Sequence, residues 1–240
     1  CESLTSIDLS GITSKNNDNL QEMFYGCKLL KSIDISHFDF SKTRCFYGMF
    51  QNCISLTSIE FPKTKIPILE NLSNMFSGCE SLTSIDLPIF NTKSRFLTMK
   101  RVFSGCKSLI SLDLSSLNTE LAENMDQLFN GCKSLVYLNI NSFSTQNVKS
   151  MSSMFYGCES LSALSLQNFD TTKVISMNYM FYKCSSLKYL DISSFSKSIS
   201  TLSIYNFIPN EEGLLKVNKE FYNELIKNNR IDKWKIQFAN

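Results

Sequence analysis

A single histidine, His37, and a single tryptophan, Trp234, stand among 240 residues that hold only four prolines and eight glycines. One histidine removes multi-histidine metal sites and most imidazole-based acid–base catalysis. Hydroxyl residues are plentiful, yet none sits in an activated-nucleophile pattern. No charge of one sign dominates: 24 Lys and Arg face 22 Asp and Glu, without the basic footprint that nucleic acid or an anionic membrane demands. No apolar run approaches the roughly 18 residues that span a bilayer, and the N-terminus lacks the charged-then-apolar layout of a signal peptide. The sequence therefore predicts no catalytic residue, no metal, no cofactor, no nucleic-acid partner and no membrane insertion by this segment.

What is abundant is repetition. Cysteines at positions 1, 27, 53, 79, 106, 132, 158 and 184 are spaced by 26 residues six times and by 27 once, a period that means a solenoid. Whole columns repeat with them. Leu4, Leu30, Leu56, Leu82, Leu109, Leu135, Leu161 and Leu187 form one; Ile7, Ile33, Ile59, Ile85, Leu112, Leu138, Leu164 and Leu190 form the next. Two residues further on, Leu9, Ile35, Phe61, Leu87, Leu114, Ile140, Leu166 and Ile192 share a face with that second column at period two, so each unit reads as one short strand.

The M-x-x-M-F segment before each cysteine has helical spacing, as in Met151, Met154 and Phe155, and predicts a helix of about two turns. Asn19, Asn71, Thr98, Asn124, Ser150 and Ser176 suit its N-cap, and Glu22 and Gln127 stand where capping-box partners would. Gly26, Gly78, Gly105, Gly131 and Gly157, with Asn52 as substitute, suit the left-handed residue at its end; Lys183 departs from that rule. The extra residue of the longer interval falls between Asn91 and Phe96. The expected fold is α/β: a leucine-rich-repeat-like solenoid over residues 1–200, with one short parallel strand and one short helix per turn, followed by a cap over 201–240. In the cap, Gly213 to Val217 reads as a strand, Asn218 as the N-cap of a helix to about Asn228, and Trp234 to Phe238 as a closing strand, with Trp234 covering the last rung.

The units LFNGCKSLVYLNINSFSTQNVKSMSSMFYGC and MFYGCESLSALSLQNFDTTKVISMNYMFYKC resemble the repeats of BspA-like leucine-rich-repeat surface proteins of bacteria and protists, a likeness that runs from residue 1 to about 200. It implies a secreted or surface-anchored protein that adheres to host proteins or other cells, host surface and matrix being the partners of that family. It carries no catalytic residues over. Departures are Lys183 for Gly, Val102 and Leu128 for Met, and Phe61-Pro62-Lys63-Thr64 in place of S-x-F-x-T.

The repeat cysteines lie one per turn instead of converging as zinc ligands must, which favours buried thiols; a serine there would need a buried hydrogen-bond partner. Cys45 occupies the N-cap column and is expected near the surface. Asn71-Leu72-Ser73 is the one glycosylation sequon, and it overlaps a predicted cap. On the outward strand face an acidic stripe of Asp8, Asp34, Glu60, Asp86 and Asp113 gives way to a patch of Tyr137, Asn139, Asn141, Gln167, Tyr189 and Asp191. Tyrosines among amides combine apolar area with hydrogen bonding, the chemistry of a ligand-binding surface; the acids read either as a solvated stripe or as a site for calcium or a basic partner. The leading expectation is an extracellular, surface-displayed adhesive or ligand-binding repeat domain whose ligand is protein or glycan. An intracellular interaction scaffold is the alternative. Cys1 already stands at the repeat phase, so the chain is expected to begin within a repeat of a longer protein.

Overall fold

The computed structural model describes residues 1–12, 14–90, 97–196, 202–209, 212–229 and 231–239, so the position of the extra residue and the expected solenoid–cap boundary lie outside the described residues. Each period forms one rung of a parallel solenoid. Along one edge run the M-x-x-M-F segments, whose N–H groups divide into two sets. Alternate ones bond sideways to the next rung: Leu20 N–H to the Cys45 carbonyl (2.9 Å), Glu22 to Tyr47 (2.8 Å), Phe24 to Met49 (2.9 Å) and Gly26 to Gln51 (2.8 Å). Those in between close tight turns, Met23 N–H to Leu20, Tyr25 to Glu22 and Cys27 to Phe24. The pattern recurs rung after rung as far as Phe181 N–H bonding the Phe207 carbonyl.

This arrangement overturns the helix expected in every unit. Among the described residues the single α-helix lies in the C-terminal cap. The reason is spacing. Phe24, Phe50, Phe76, Phe103, Phe129, Phe155 and Phe181 stack with centroids 5.4–5.9 Å apart, whereas a helix is roughly 10 Å across. Rungs tied this closely have no room for one. Successive turns nevertheless keep the i, i+3, i+4 pattern inside, which is why Met151, Met154 and Phe155 are all buried.

Two left-handed residues per rung make the turns. One column is the expected Gly26, Gly78, Gly105, Gly131 and Gly157, joined by Asn52 and Lys183 at φ 61° and 62°. The other, Glu22, Gly48, Asn74, Arg101, Gln127, Ser153 and Tyr179, has φ of 54–59° and is mostly not glycine. Each such side chain costs roughly 1–2 kcal/mol, and the lateral hydrogen bonds offset it. Glu22 and Gln127 thus sit at left-handed turns and are not capping-box partners. The polar column at 19, 45, 71, 98, 124, 150 and 176 forms parallel bridges between rungs. Its amides do cap, but cap turns: Asn19, Asn71 and Asn124 accept from the N–H two residues on at 2.8–2.9 Å.

The strands in chain order are β1 (Ser32–Asp34), β2 (Ser58–Glu60), β3 (Leu97–Thr98), β4 (Ser111–Asp113), β5 (Ala122–Asn124), β6 (Tyr137–Asn139), β7 (Ala163–Ser165) and β8 (Tyr189–Ile192). β3 and β5 belong to the edge just described; the others form the opposite, outward face. There the pairing is intermittent: β1 with β2, β4 with β6, β7 with β8, all parallel and in register, while β6 and β7 are not paired. Between the two edges lies the core of leucine, phenylalanine and methionine columns.

The cysteine column closes the core. Cys53, Cys79, Cys106, Cys132, Cys158 and Cys184 each donate Sγ–H to the carbonyl of a stacked phenylalanine one rung back, at 3.0–3.2 Å. A partner for a hydroxyl is therefore already present. Burial pushes the Cys53, Cys106 and Cys184 thiols up to about 12, and those of Cys79, Cys132 and Cys158 well above their ordinary value. His37 Nε2 lies 2.9 Å from the Leu9 carbonyl and its ring meets Phe38 edge-on, joining the first two rungs.

The cap consists of β9 (Gly213–Val217), α1 (Lys219–Asn228) and β10 (Trp234–Phe238), and its strands extend the sheet in the order β10-β9-β8-β7. Phe207 meets Phe181 at 86° and Phe221 of α1 packs on Phe207, which ends the phenylalanine stack. Asn218 uses both ends of its amide: Oδ1 accepts from Phe221 N–H and Nδ2 donates to the Ser193 and Phe195 carbonyls of the last rung. Trp234 is buried against Gly213, where an added Cβ would lie 2.7 Å from the ring and from the Lys188 carbonyl. β9 also buries Asp191 in register with Lys216, whose Nζ lies 3.1 Å away.

Two outcomes follow. A thiol reagent is expected to find two of the nine cysteines in the native protein, Cys1 and Cys45, and all nine after denaturation. Cys132→Ser, which keeps a donor for the Phe103 carbonyl, should cost about 1 kcal/mol and Cys132→Ala about 2 kcal/mol in urea unfolding; the reverse order would show that the hydrogen bond is immaterial. At Asp191, burial raises the carboxyl but bonds from Ser193 and Lys216 outweigh it and leave the pKa lowered. Its contribution is thus present above the ordinary value of 3.8 and lost as pH falls through the lower folded value. Asp191→Asn should cost about 1–3 kcal/mol at neutral pH and flatten that acid limb of the stability–pH curve.

Candidate functional site

The outward face of β1, β2, β4 and their neighbours presents the acidic stripe, and the structure gives most of it a local task. Asp8, Asp34, Asp113, Asn139 and Asp191 each accept the N–H of the residue two further on, at 2.8–3.3 Å. The Ser10 backbone and hydroxyl bonds hold the Asp8 carboxyl below the usual carboxylate range, and the Ser36 and Ser115 hydroxyls and N–H groups do the same for Asp34 and Asp113. These acids fold their own chain as it leaves the strand.

Glu60 and Asp86 cannot. Two residues beyond them stand Pro62 and Pro88, which have no N–H. The rung that holds Asp86 is also irregular in its backbone: residues 84–87 form no strand, and their N–H groups donate to no backbone carbonyl among the described residues. Core columns that are buried in the β1 and β4 rungs come partly into view here, since Ile59, Phe61, Ile85 and Leu87 are all half-buried. Two grooves result. One of about 480 Å³ runs between Thr57–Lys63 and Ser84–Ile89. The other, about 260 Å³, lies between Ser84–Leu87 and β4, with Tyr137 at its end.

The amide-tyrosine patch is open at some of its residues and closed at others. Tyr137 is 56% exposed, and Asn139 donates Nδ2–H to Asp113 Oδ1 at 3.1 Å. Asn141 and Gln167 are exposed on adjacent rungs, where Asn168 Nδ2–H donates to the Asn141 carbonyl at 3.1 Å although β6 and β7 are not paired as strands. Tyr189 and Asp191 correct the expectation: Tyr189 is half-buried, with its hydroxyl 3.4 Å from Asp191 Oδ2, and Asp191 is only 2% exposed. The cap strand β9 pairs beside them in the same sheet, placing Leu214 next to Tyr189 and Lys216 next to Asp191. Asp191 is thus closed to a ligand, while Tyr189 keeps part of its surface open.

One aromatic cluster on the opposite edge escaped the sequence reading. Tyr156 and Tyr182, Tyr182 and Tyr179, and Tyr179 and Tyr205 follow one another at 5.8, 5.8 and 5.4 Å, and Lys183 Nζ lies 5.5 Å from the Tyr156 centroid. The signal was there in Lys183, the residue that departs from glycine, following tyrosines that recur in successive units. Elsewhere, Asn71 of the sequon is half-buried and caps Ser73, whose hydroxyl meets Thr98 at 3.0 Å. Cys45 is half-buried. No group of three His, Cys, Asp or Glu side chains converges as metal ligands among the described residues, and no helix there is long and apolar enough to cross a membrane.

Among curated proteins, none matches the chain. A crystal structure of a leucine-rich repeat protein from Bacteroides ovatus is 17% identical with a TM-score of 0.25, over 92% of this chain and 86% of that one. A leucine rich cell surface protein from Faecalibacterium prausnitzii is 16% identical with a TM-score of 0.30, over 76% of this chain and 65% of that one. Superpositions this loose carry no argument about function. The family models reach further. One described as a Mycoplasma protein of unknown function, DUF285, matches residues 97–212 and 135–238. The BspA type leucine rich repeat region, in six copies, matches residues 1–64 and 23–145. With its 26-residue rungs and more than half its length matched, the chain belongs to the BspA-type leucine-rich-repeat family.

Proposed function

We propose that this chain is a surface-displayed adhesive or ligand-binding repeat domain that meets a protein or glycan on its strand face. The observation that carries the reading is the pair of grooves on either side of Ser84–Leu87, with the exposed Tyr137 at the end of one. Concave sites that bring apolar side chains together with polar groups are where soluble proteins take ligands, and an exposed tyrosine beside them is suited to anchor one. Surface display is what family membership favours. The buried thiol column is shielded from oxidants by the core and suits that setting as well as a reducing one. A repeat domain with no constellation of catalytic groups in its grooves is suited to binding.

The test is a binding screen of the chain against host matrix proteins and glycans, repeated with variants. Tyr137→Ala is expected to weaken the captured ligand by roughly tenfold, about 1.4 kcal/mol, with the melting temperature unchanged because the ring is exposed. Tyr189→Ala should instead lower the melting temperature, since that half-buried side chain lies beside Leu214 of the cap and its hydroxyl meets Asp191. Binding that survives Tyr137→Ala but is lost in Tyr182→Ala would move the ligand to the opposite edge and defeat the strand-face reading.

A further inference from the structure

The two proline rungs are built differently from the others, and the difference has a definite chemistry. In the β1 and β4 rungs the acid is occupied by the N–H two residues on, and the apolar columns are buried. Between β2 and β4 all of this is undone together. Pro62 and Pro88 remove the N–H groups that would engage Glu60 and Asp86, and neither carboxylate has a hydrogen-bond or ion-pair partner among the described residues. The backbone of Ser84–Leu87 offers N–H groups that donate to no backbone carbonyl among the described residues. Ile59, Phe61, Ile85 and Leu87 line the grooves half-buried, and Ile89 at the rim is 43% exposed.

From this we infer that the grooves flanking Ser84–Leu87 dock an extended, basic segment of a partner protein. The inference rests on the strand-face reading above and names the partner's chemistry. A chain in β conformation satisfies each feature at once. Its main-chain carbonyls reach the unused N–H groups, as in strand addition to an open sheet edge. Its alternate side chains fall on opposite sides, so apolar residues seat against Ile59 and Ile85 while Arg or Lys between them reach Glu60 and Asp86. Charge decides the sign: among the described residues, Glu60, Asp86 and the neighbouring Asp113 line the two grooves against one cation, Lys63. A neutral glycan could hydrogen-bond these groups through its hydroxyls but would bring no positive charge to offset the two carboxylates.

The probes are a short peptide alternating arginine with valine, the same peptide with glutamate for arginine, and calcium alone. The arginine peptide is expected to bind the chain, and the glutamate peptide not to. The double variant Glu60→Gln with Asp86→Asn should weaken it by roughly tenfold or more, and Asp8→Asn, whose carboxylate is already engaged, should leave it unchanged. Pro88→Ser restores the N–H that the regular rungs have, so Asp86 is expected to be recaptured by its own chain and peptide affinity to fall even though no charge is removed. Equal binding of both peptides overturns the proposal. So does calcium binding that the double variant abolishes while the arginine peptide stays unbound, since the carboxylates would then serve a cation. If the arginine peptide fails but a matrix ligand still depends on Tyr137, the peptide chemistry is wrong and the strand-face reading stands; if Tyr137 is also immaterial, both fail.

Discussion

Everything regular in this molecule depends on the sideways hydrogen bonds of the M-x-x-M-F edge. Because every second N–H there bonds the next rung, the rungs are held near the spacing of neighbouring strands, about 4.8 Å, and the phenylalanine rings are stacked as a consequence. The remaining N–H groups are left to close turns, and turns of that kind need a left-handed residue twice per rung. The cysteine column follows from the same geometry. Each phenylalanine carbonyl takes a turn N–H and still has a lone pair directed at the next rung, and a thiol small enough to fit the core donates to it.

Much of this was legible in one sequence. The period, the buried columns, the cap with Asn218 at the start of its helix, and the buried thiols can all be read from spacing and residue type. The helix could not be rejected that way, because Met151, Met154 and Phe155 point inward in a helix and in consecutive tight turns alike. What separates the two is rung spacing, a property of the stack that no single unit carries. The left-handed column containing Glu22, Arg101 and Tyr179 was invisible for a related reason: with lateral bonds holding the turn, selection for glycine is relaxed.

The site was less legible than the fold. Tyr189 and Asp191 have the residue types of an exposed binding patch and occupy its columns, yet Leu214 and Lys216 of the cap lie in register beside them, and Asp191 is buried. Whether an outward column is open or covered depends on what stacks beyond the last rung, and that pairing joins segments whose connection no local pattern describes. The prolines were the opposite case. Pro62 was noticed as an irregularity of its unit, but its importance lies in what the acid before it loses, which becomes apparent only once Asp8, Asp34 and Asp113 are seen bonding their own chain.

The two edges also differ in continuity, and this bears on how such a solenoid meets a partner. One edge is an unbroken ladder; the other pairs β1 with β2, β4 with β6, and β7 with β8 and the cap, with open junctions between. In a stack where each unit contacts only its neighbours, stability is a sum of local interfaces, so the continuous edge can hold the rungs together while the strand face departs from regularity. Proline at two successive rungs would be costly in a sheet that relied on every strand bond. Here it is tolerated because the ladder opposite carries the stacking. The backbone groups, carboxylates and apolar columns released at Ser84–Leu87 can therefore serve contact with another molecule without loosening the fold that presents them.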